Sequence, residues 1–142
     1  MDMEHDLWIK REMIKGFQND LEHAHRFPFE RAQDIAFYER QIDRLDSEVF
    51  DLVFMAVGQK LAELEVMKPR SKEERVQKEA QEGVWNLARV DLLMHRHAIR
   101  ASWSMALRLD ALAKREDRLN LKDQARLAAY REVYKLMTGK AR

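Results

Sequence analysis

The 142-residue sequence contains no cysteine, only four glycines and only two prolines. Without cysteine the chain cannot form disulfide bonds, thiolate metal sites or a cysteine nucleophile, which agrees with a cytoplasmic or other reducing intracellular compartment. Chains built from strands and tight turns, and chains rich in linkers, need far more glycine and proline than this. These shortages favour a helical protein.

Long hydrophobic runs are also missing. The longest unbroken apolar run is Leu52 to Val57, whereas a helix that crosses a bilayer needs roughly 20 residues. The first six residues, from Met1 to Asp6, lack the basic start and the apolar segment of a secretory signal. We therefore predict a protein that makes no membrane contact.

Apolar residues make up 46% of the chain and charged residues 36%, with a formal net charge of +1. That mixture can form a core beneath a highly charged surface, and the length is typical of one domain. We predict a single all-α domain spanning residues 1–142.

Apolar residues recur three and four positions apart in four segments, which is the pattern of one helix face. Pro28 and Pro69 interrupt the pattern, Ser71-Lys-Glu-Glu74 has the spacing of a capping box, and Gly139 is a typical helix stop. The predicted helices cover residues 3–26, 29–68, 72–117 and 121–137.

The two central helices are predicted to be unusually long, because the apolar spacing continues through Gly58 and Gly83 without a change of phase. We expect them to form an elongated antiparallel hairpin, with the shorter N- and C-terminal helices packed alongside. Met94 and Met105 fall on its core stripe, and the small residues near Gly83 would let a second helix approach closely. Such a hairpin has broader apolar flanks than one copy covers, which predicts a protein partner or self-association into an oligomer.

Charge is distributed unevenly, since residues 1–70 hold 10 cations and 15 anions while residues 114–142 hold nine cations and four anions. On a projection of the third predicted helix, six cations fall within about 20° of one line. Trp85 and Trp103 lie about 40° to one side of that line. We call these cations the basic strip: Lys78, Arg89, Arg96, Arg100, Lys114 and Arg118.

Three interpretations of the basic strip are open. Single-stranded nucleic acid needs cations that follow phosphates and indoles that stack on bases. An acidic protein partner is equally suitable, because Arg and Trp tend to dominate binding energy at protein interfaces. The strip can also face the acidic second helix of its own chain or extend into water.

Side chains suited to catalysis or metal binding are few. His23 and His25 are two positions apart, as are His95 and His97, so each pair points about 200° apart around a helix and cannot bind one metal ion. Glu22 and His25 have the spacing used in di-iron bundles, but such a centre needs a second Glu-x-x-His that this sequence lacks. We predict no catalytic residues, no metal and no cofactor.

The segment Arg89-Val-Asp-Leu-Leu-Met-His95 resembles the arginine-to-histidine motif of ribonucleases of the HEPN type, which are small α-helical bundles. The resemblance implies that Arg89 binds phosphate and that His95 moves a proton. It covers one short motif and departs from the family at the hydrophobic Val90. Asp91 and His95, four positions apart, are spaced to form a polar contact with each other.

The predicted helices are long, their apolar faces are wide, and few residues are suited to catalysis or metal binding. Together these features predict a non-catalytic helical interaction protein, which acts as an accessory, adaptor or assembly subunit of a larger complex. One alternative is a nucleic-acid-associated subunit that binds single strands through the basic strip and its two tryptophans. A second alternative is a HEPN-like ribonuclease.

Overall fold

A computed structural model describes residues 2–142, and all regular secondary structure among them is helical. The all-α class predicted from the sequence is therefore confirmed. The number of helices is not, because the described chain forms five α-helices and one short 3-10 helix rather than four helices. They are α1 (Met3–Ala24), α2 (Ala32–Val66), α3 (Lys72–His95), α4 (Ala98–Ala113), the 3-10 helix Glu116–Arg118 and α5 (Leu121–Thr138).

Several helix ends follow from local side-chain chemistry. The Ser71 hydroxyl accepts a hydrogen bond from the Glu74 amide at 3.1 Å, and the Glu74 carboxylate accepts one from the Arg70 amide at 2.6 Å. The first bond satisfies an amide that the first turn of α3 leaves without a helical partner, and the second ties the residue before the N-cap to that turn. Gly139 ends α5 in the left-handed conformation, with φ of 78°, a geometry that glycine adopts without strain. The predicted start at Ser71 and stop at Gly139 are both confirmed.

The prediction of one helix over residues 72–117 is wrong, because α3 ends at His95 and α4 begins at Ala98. Arg96 has a left-handed backbone with φ of 53°, and His97 is extended. The His97 Nδ1 atom then accepts a hydrogen bond from the Arg100 amide at 3.4 Å, which caps the start of α4. Since the second predicted long helix is split, only α2, at 35 residues and about 52 Å, is unusually long. Within residues 53–142 the end of α2 and α3 run antiparallel, because Glu65 lies beside Lys78 and Lys60 lies beside Trp85.

Two compact units make up the chain, and the first ends at Leu52. It contains α1 and the first part of α2, which run antiparallel, because Lys10 pairs with Glu48 at 3.8 Å while the Phe17 ring lies 6.2 Å from the ring of Tyr38. The buried apolar side chains of this unit are Leu7, Ala24, Leu45, Val49 and Phe50.

The second unit runs from Val53 to Arg142 and contains the end of α2 together with α3, α4 and α5. Helices α3, α4 and α5 pack against one another. The Lys78 ammonium binds the end of α2 by donating to the carbonyl oxygens of Met67 at 2.8 Å and Glu65 at 3.4 Å. The core of this unit includes Val57, Val84, Leu92, Met105, Leu109, Val133 and Met137.

Neither central glycine interrupts its helix, since α2 continues through Gly58 and α3 through Gly83. A Cβ atom built on Gly83 would have no other atom within 4 Å. Gly83 itself is therefore not a point of close helix contact among residues 2–142, although the small residue Ala80 near it is buried. Within the same range, every helix is too short or too polar to span a bilayer.

Candidate interaction surface

The cations of the basic strip do not lie along one helix. Lys78 and Arg89 belong to α3, Arg100 belongs to α4, and Lys114 forms the C-cap of α4. Arg96 lies in the turn between the two helices. A helical projection assumes an uninterrupted helix, so the predicted alignment of these cations is wrong. Their binding to nucleic acid or to an acidic partner stays a prediction.

Some members of the basic strip are held by neighbours within the chain. Besides its bonds to the end of α2, Lys78 lies 3.9 Å from the Glu82 carboxylate, and its side chain is only 17% exposed. Arg89 donates to the Asn86 side-chain oxygen at 3.0 Å, and Arg118 lies 3.8 Å from its neighbour Asp117. Lys78 in particular serves to fix α3 to α2, which leaves little of its side chain for a ligand.

The two tryptophans beside the basic strip have opposite environments. Trp85 is 4% exposed and belongs to the core, with the Lys60 ammonium 5.9 Å from its ring centroid. Trp103 is 62% exposed on α4. Because a buried indole cannot stack on a base, only Trp103 of this pair is available to a partner of any kind.

Helix α4 has two apolar faces, and only one of them is buried. Its inner face packs into the second unit through side chains that include Ala101, Met105 and Leu109. On the outer side, three large side chains are spaced four residues apart, a spacing that aligns them along one edge of a helix. We call these residues the outer stripe: Ile99, Trp103 and Leu107, which are 41%, 62% and 75% exposed.

The last turns of α3 also expose large apolar side chains, namely Val90, Leu93 and Met94. The prediction that Met94 fills the core is wrong, because 72% of this residue is exposed. The projected core stripe continues across the turn at Arg96 and His97, where the helix in fact ends. Met105, the other methionine assigned to the core, is fully buried as predicted.

Two ion pairs tie the acidic groups after the outer stripe to α5 and the C-terminal residues, and we call them the C-terminal clasp. Asp110 accepts two hydrogen bonds from the Arg142 guanidinium at 2.6 and 2.9 Å. Glu116 accepts two from the Arg131 guanidinium at 2.6 and 3.3 Å. These hydrogen bonds, reinforced by the positive charge of each arginine, lower the pKa of both carboxyl groups.

The C-terminal clasp predicts a loss of stability in acid. A carboxyl group whose pKa is lower in the folded state contributes stability above its unfolded pKa of about 4 and loses it as the pH falls through the folded value. We expect the thermal unfolding midpoint to fall between pH 6 and pH 3, and to fall less in the double variant Asp110→Asn and Glu116→Gln. Equal shifts in the two proteins, measured by circular dichroism, would contradict this assignment.

The C-terminal clasp also affects which charged side chains around α4 remain outside ion pairs. Residues 96–118 hold six cations and three acids. Asp110 and Glu116 are already neutralised by arginines from outside this segment. Arg96, Arg100 and Lys114 are exposed. Among residues 2–142 no acid lies within ion-pair distance of them, although the charge of Lys114 helps to lower the pKa of Asp110. The uncommitted charge beside the outer stripe is therefore positive.

The HEPN-like motif does not bring its two residues together. Arg89 and His95 lie on α3, where a separation of six residues places side chains about 120° apart and about 9 Å apart along the axis. The expected contact of Asp91 with His95 is wrong, because the half-exposed Arg108 guanidinium donates to the buried Asp91 carboxylate at 3.4 Å. Within residues 2–142, no group of three or more histidine and acidic side chains is placed to hold a metal ion.

A shallow groove of about 420 Å³ lies between α3 and α5. Its charged lining consists of one carboxylate, Glu79, and two cations, Lys122 and Arg126, without a histidine or a hydroxyl group. Its lining residues are Val76, Glu79, Ala80, Gly83, Lys122 and Arg126.

No family model, no curated protein and no solved structure matches this chain. The outer stripe combines an exposed tryptophan with exposed apolar neighbours on one helix edge beside exposed cations. The sequence pattern places Trp103 beside the basic strip, and Ile99 and Leu107 lie four residues before and after it. What the sequence did not reveal is that this helix edge stays uncovered while the opposite face of α4 is buried.

Proposed function

We propose that the protein is a non-catalytic helical interaction subunit, which binds another protein through the outer stripe of α4. The observation that carries this proposal is the exposure of Ile99, Trp103 and Leu107 along one edge of a helix whose opposite face is buried. Single exposed apolar residues are ordinary, but adjacent ones that include a tryptophan are typical of contact surfaces.

The free energy gained by covering Trp103 alone is too small for stable binding, which favours a contact surface of three residues. A tryptophan buries about 150–250 Å² when fully covered, so covering the exposed 62% of Trp103 removes about 100–150 Å² from water. At about 25 cal/mol per Å² that area contributes about 3 kcal/mol. Association itself costs about 4–15 kcal/mol, so Trp103 needs Ile99 and Leu107 beside it to sustain binding.

Rigidity favours the same role. Met105 and Leu109 are buried on the inner face of α4 and hold the helix in place, and the Asp91–Arg108 ion pair joins α3 to α4. Because the outer stripe is fixed before a partner arrives, binding does not have to pay for ordering the backbone of α4. A rigid helix that exposes apolar residues about one turn apart suits a partner that binds by side-chain packing.

The proposal predicts that Trp103→Ala removes protein partners without unfolding the chain. We expect proteins that co-purify with the wild-type chain from its native host to decrease at least tenfold in yield with the variant, since Trp103 supplies the largest apolar area of the stripe. Trp8→Ala is the comparison variant, because Trp8 in the first unit is a tryptophan of similar exposure, at 59%, and an equal loss with both variants would contradict the assignment of binding to α4. Quantitative mass spectrometry of the purified material provides the measurement.

A photo-crosslinking amino acid gives a direct readout of contact at the same position. An aromatic photo-crosslinking group at Trp103 keeps a large apolar ring in the outer stripe, so it should join the chain covalently to the partner, while the same group at the exposed Ala128 on α5 should not. If Trp103→Ala leaves the co-purifying proteins unchanged and neither crosslinker position captures them selectively, the outer stripe is not a docking site.

A further inference from the structure

The charge beside the outer stripe indicates what kind of partner it receives. Arg96 and Arg100 are exposed near the start of α4, and Lys114 is exposed at its end. The acids nearest in sequence are already engaged, Asp110 by Arg142 and Asp91 by Arg108. A partner that covers the stripe therefore meets exposed cations at both ends of α4, while Asp91 and Asp110 already accept hydrogen bonds from arginines of the chain.

We infer that the outer stripe binds an acidic amphipathic helix of another protein, with carboxylates that flank a short apolar edge. This inference rests on the proposed function and adds the chemistry of the partner to it. Complementary charge at the rim of an apolar contact speeds association and rejects partners of the wrong sign. The partner's carboxylates lie opposite Arg96 and Arg100 at one end and Lys114 at the other.

The dimensions of α4 set the length of the partner helix. Ile99 and Leu107 are eight residues apart, which is about 12 Å along the axis, and Arg100 and Lys114 are 14 residues apart, which is about 21 Å. A partner helix of about four turns spans the same distance. It carries apolar side chains three or four residues apart in its middle and acidic side chains near both ends.

A helix suits this surface better than an extended strand does. Strand addition requires a sheet edge whose amides and carbonyl groups are unpaired. Residues 2–142 form no sheet, so a partner backbone finds no such edge. The outer stripe offers side chains alone, and ridges of side chains four residues apart are what two packed helices exchange.

A second copy of this chain is a poor occupant of the same surface. In a two-fold dimer the same patch meets itself, so the Arg96, Arg100 and Lys114 cations of both copies would be brought to one interface. Asp110, the acid on α4 closest to the stripe, already accepts two hydrogen bonds from Arg142. Like charges without acids between them disfavour this pairing.

Single-stranded nucleic acid also fits the surface less well than an acidic helix does. Binding without sequence preference uses several aromatic side chains as platforms for successive bases. Here Trp103 is flanked by the aliphatic Ile99 and Leu107, and Trp85 is buried in the core. The cations could follow phosphates, but the surface between them is built for apolar packing rather than for base stacking.

Two synthetic helical probes of 16 residues test the inference. Both carry the same three apolar residues, spaced to match the outer stripe; one has glutamate on its flanks and the other has lysine at those positions. Binding to the full chain is measured by fluorescence anisotropy. We expect the glutamate probe to bind at least tenfold more tightly than the lysine probe, and Trp103→Ala to weaken the glutamate probe at least tenfold.

Charge reversal provides the matched variants. In the double variant Arg96→Glu and Arg100→Glu, the preference should reverse in favour of the lysine probe. Lys72→Glu with Arg75→Glu changes the net charge equally at exposed positions in the first turns of α3, about 30 Å along the helix from its end, and should keep the wild-type preference. Arg100→Glu places an acid in the first turn of α4, where it suits the helix dipole, whereas Arg96→Glu places one at the C-terminal end of α3, where it does not. Circular dichroism of the double variant therefore checks that it is folded before binding is measured.

Each alternative result has a distinct meaning. If the two probes bind equally and Trp103→Ala weakens both, the apolar docking function stands and the acidic partner is refuted. If a labelled oligothymidine binds more tightly than the glutamate probe and loses binding on charge reversal, the surface receives nucleic acid and the inference is wrong. If neither probe binds at about 100 μM, the acidic helix is refuted, and crosslinking at Trp103 separately decides the proposed function.

Discussion

Replacing Met105 by alanine is expected to lower the free energy of unfolding by about 2–5 kcal/mol. Met105 is fully buried on the inner face of α4, and α4 packs against both α3 and α5. Truncation removes apolar contacts and leaves a cavity that rigid helices fill only in part. Urea denaturation followed by circular dichroism measures the change, with the denaturant dependence of the free energy expected to stay constant.

Leu107→Ala is the matched control on the opposite side of the same helix. Leu107 is 75% exposed, so its truncation should change the free energy of unfolding by no more than about 0.5 kcal/mol. The contrast between the two variants tests the orientation of α4 directly. If Leu107→Ala costs as much as Met105→Ala, the outer stripe is covered by the chain itself and the argument for docking loses its basis.

The features that sequence analysis predicted well are those controlled by a few neighbouring residues. Ser71 and Glu74 form their capping bonds within one turn of helix, and Gly139 adopts a backbone conformation that its own lack of a side chain allows. Pro69 falls in the break between α2 and α3, since a proline disfavours helix at the residue before it. Such signals are readable because both partners are close in sequence.

The turn at Arg96 and His97 lacked signals of that kind. It contains no glycine or proline, and arginine and histidine are uncommon choices for the left-handed cap and the N-cap. What favours the turn acts between the two helices: Asp91 near the end of α3 pairs with Arg108 on α4. Ala98 and Ala101 are buried because α4 packs against neighbouring helices. A projection of one continuous helix cannot predict that packing.

The candidate site also shows that periodicity alone does not predict which helix face is buried. Trp85 and Trp103 lie at similar angles beside the basic strip when the helix is projected as continuous, yet one is buried and the other is mostly exposed. Periodicity indicates which residues share a face of a helix. Whether that face is covered depends on the neighbouring helices, so the sequence named Trp103 as a candidate but could not separate it from Trp85.

Replacing Arg96 by glycine is expected to raise the free energy of unfolding by about 1 kcal/mol. Arg96 has a φ of 53°, a left-handed conformation that costs an ordinary residue about 1–2 kcal/mol and costs glycine almost nothing. The greater flexibility of glycine in the unfolded chain offsets part of that gain. Thermal and urea unfolding of the variant provide the measurement.

Arg96→Ala is the control, because it removes the same charge and the same exposed side chain but keeps a Cβ atom. Its stability should lie close to that of the wild-type protein, so the gain with glycine can be assigned to the backbone of the turn. A continuous helix through position 96 requires the opposite order, since glycine inside a helix is about 1 kcal/mol less stable than alanine. A glycine variant less stable than the alanine variant would therefore contradict the turn, and with it the separation of α3 from α4 that sets the direction of the outer stripe.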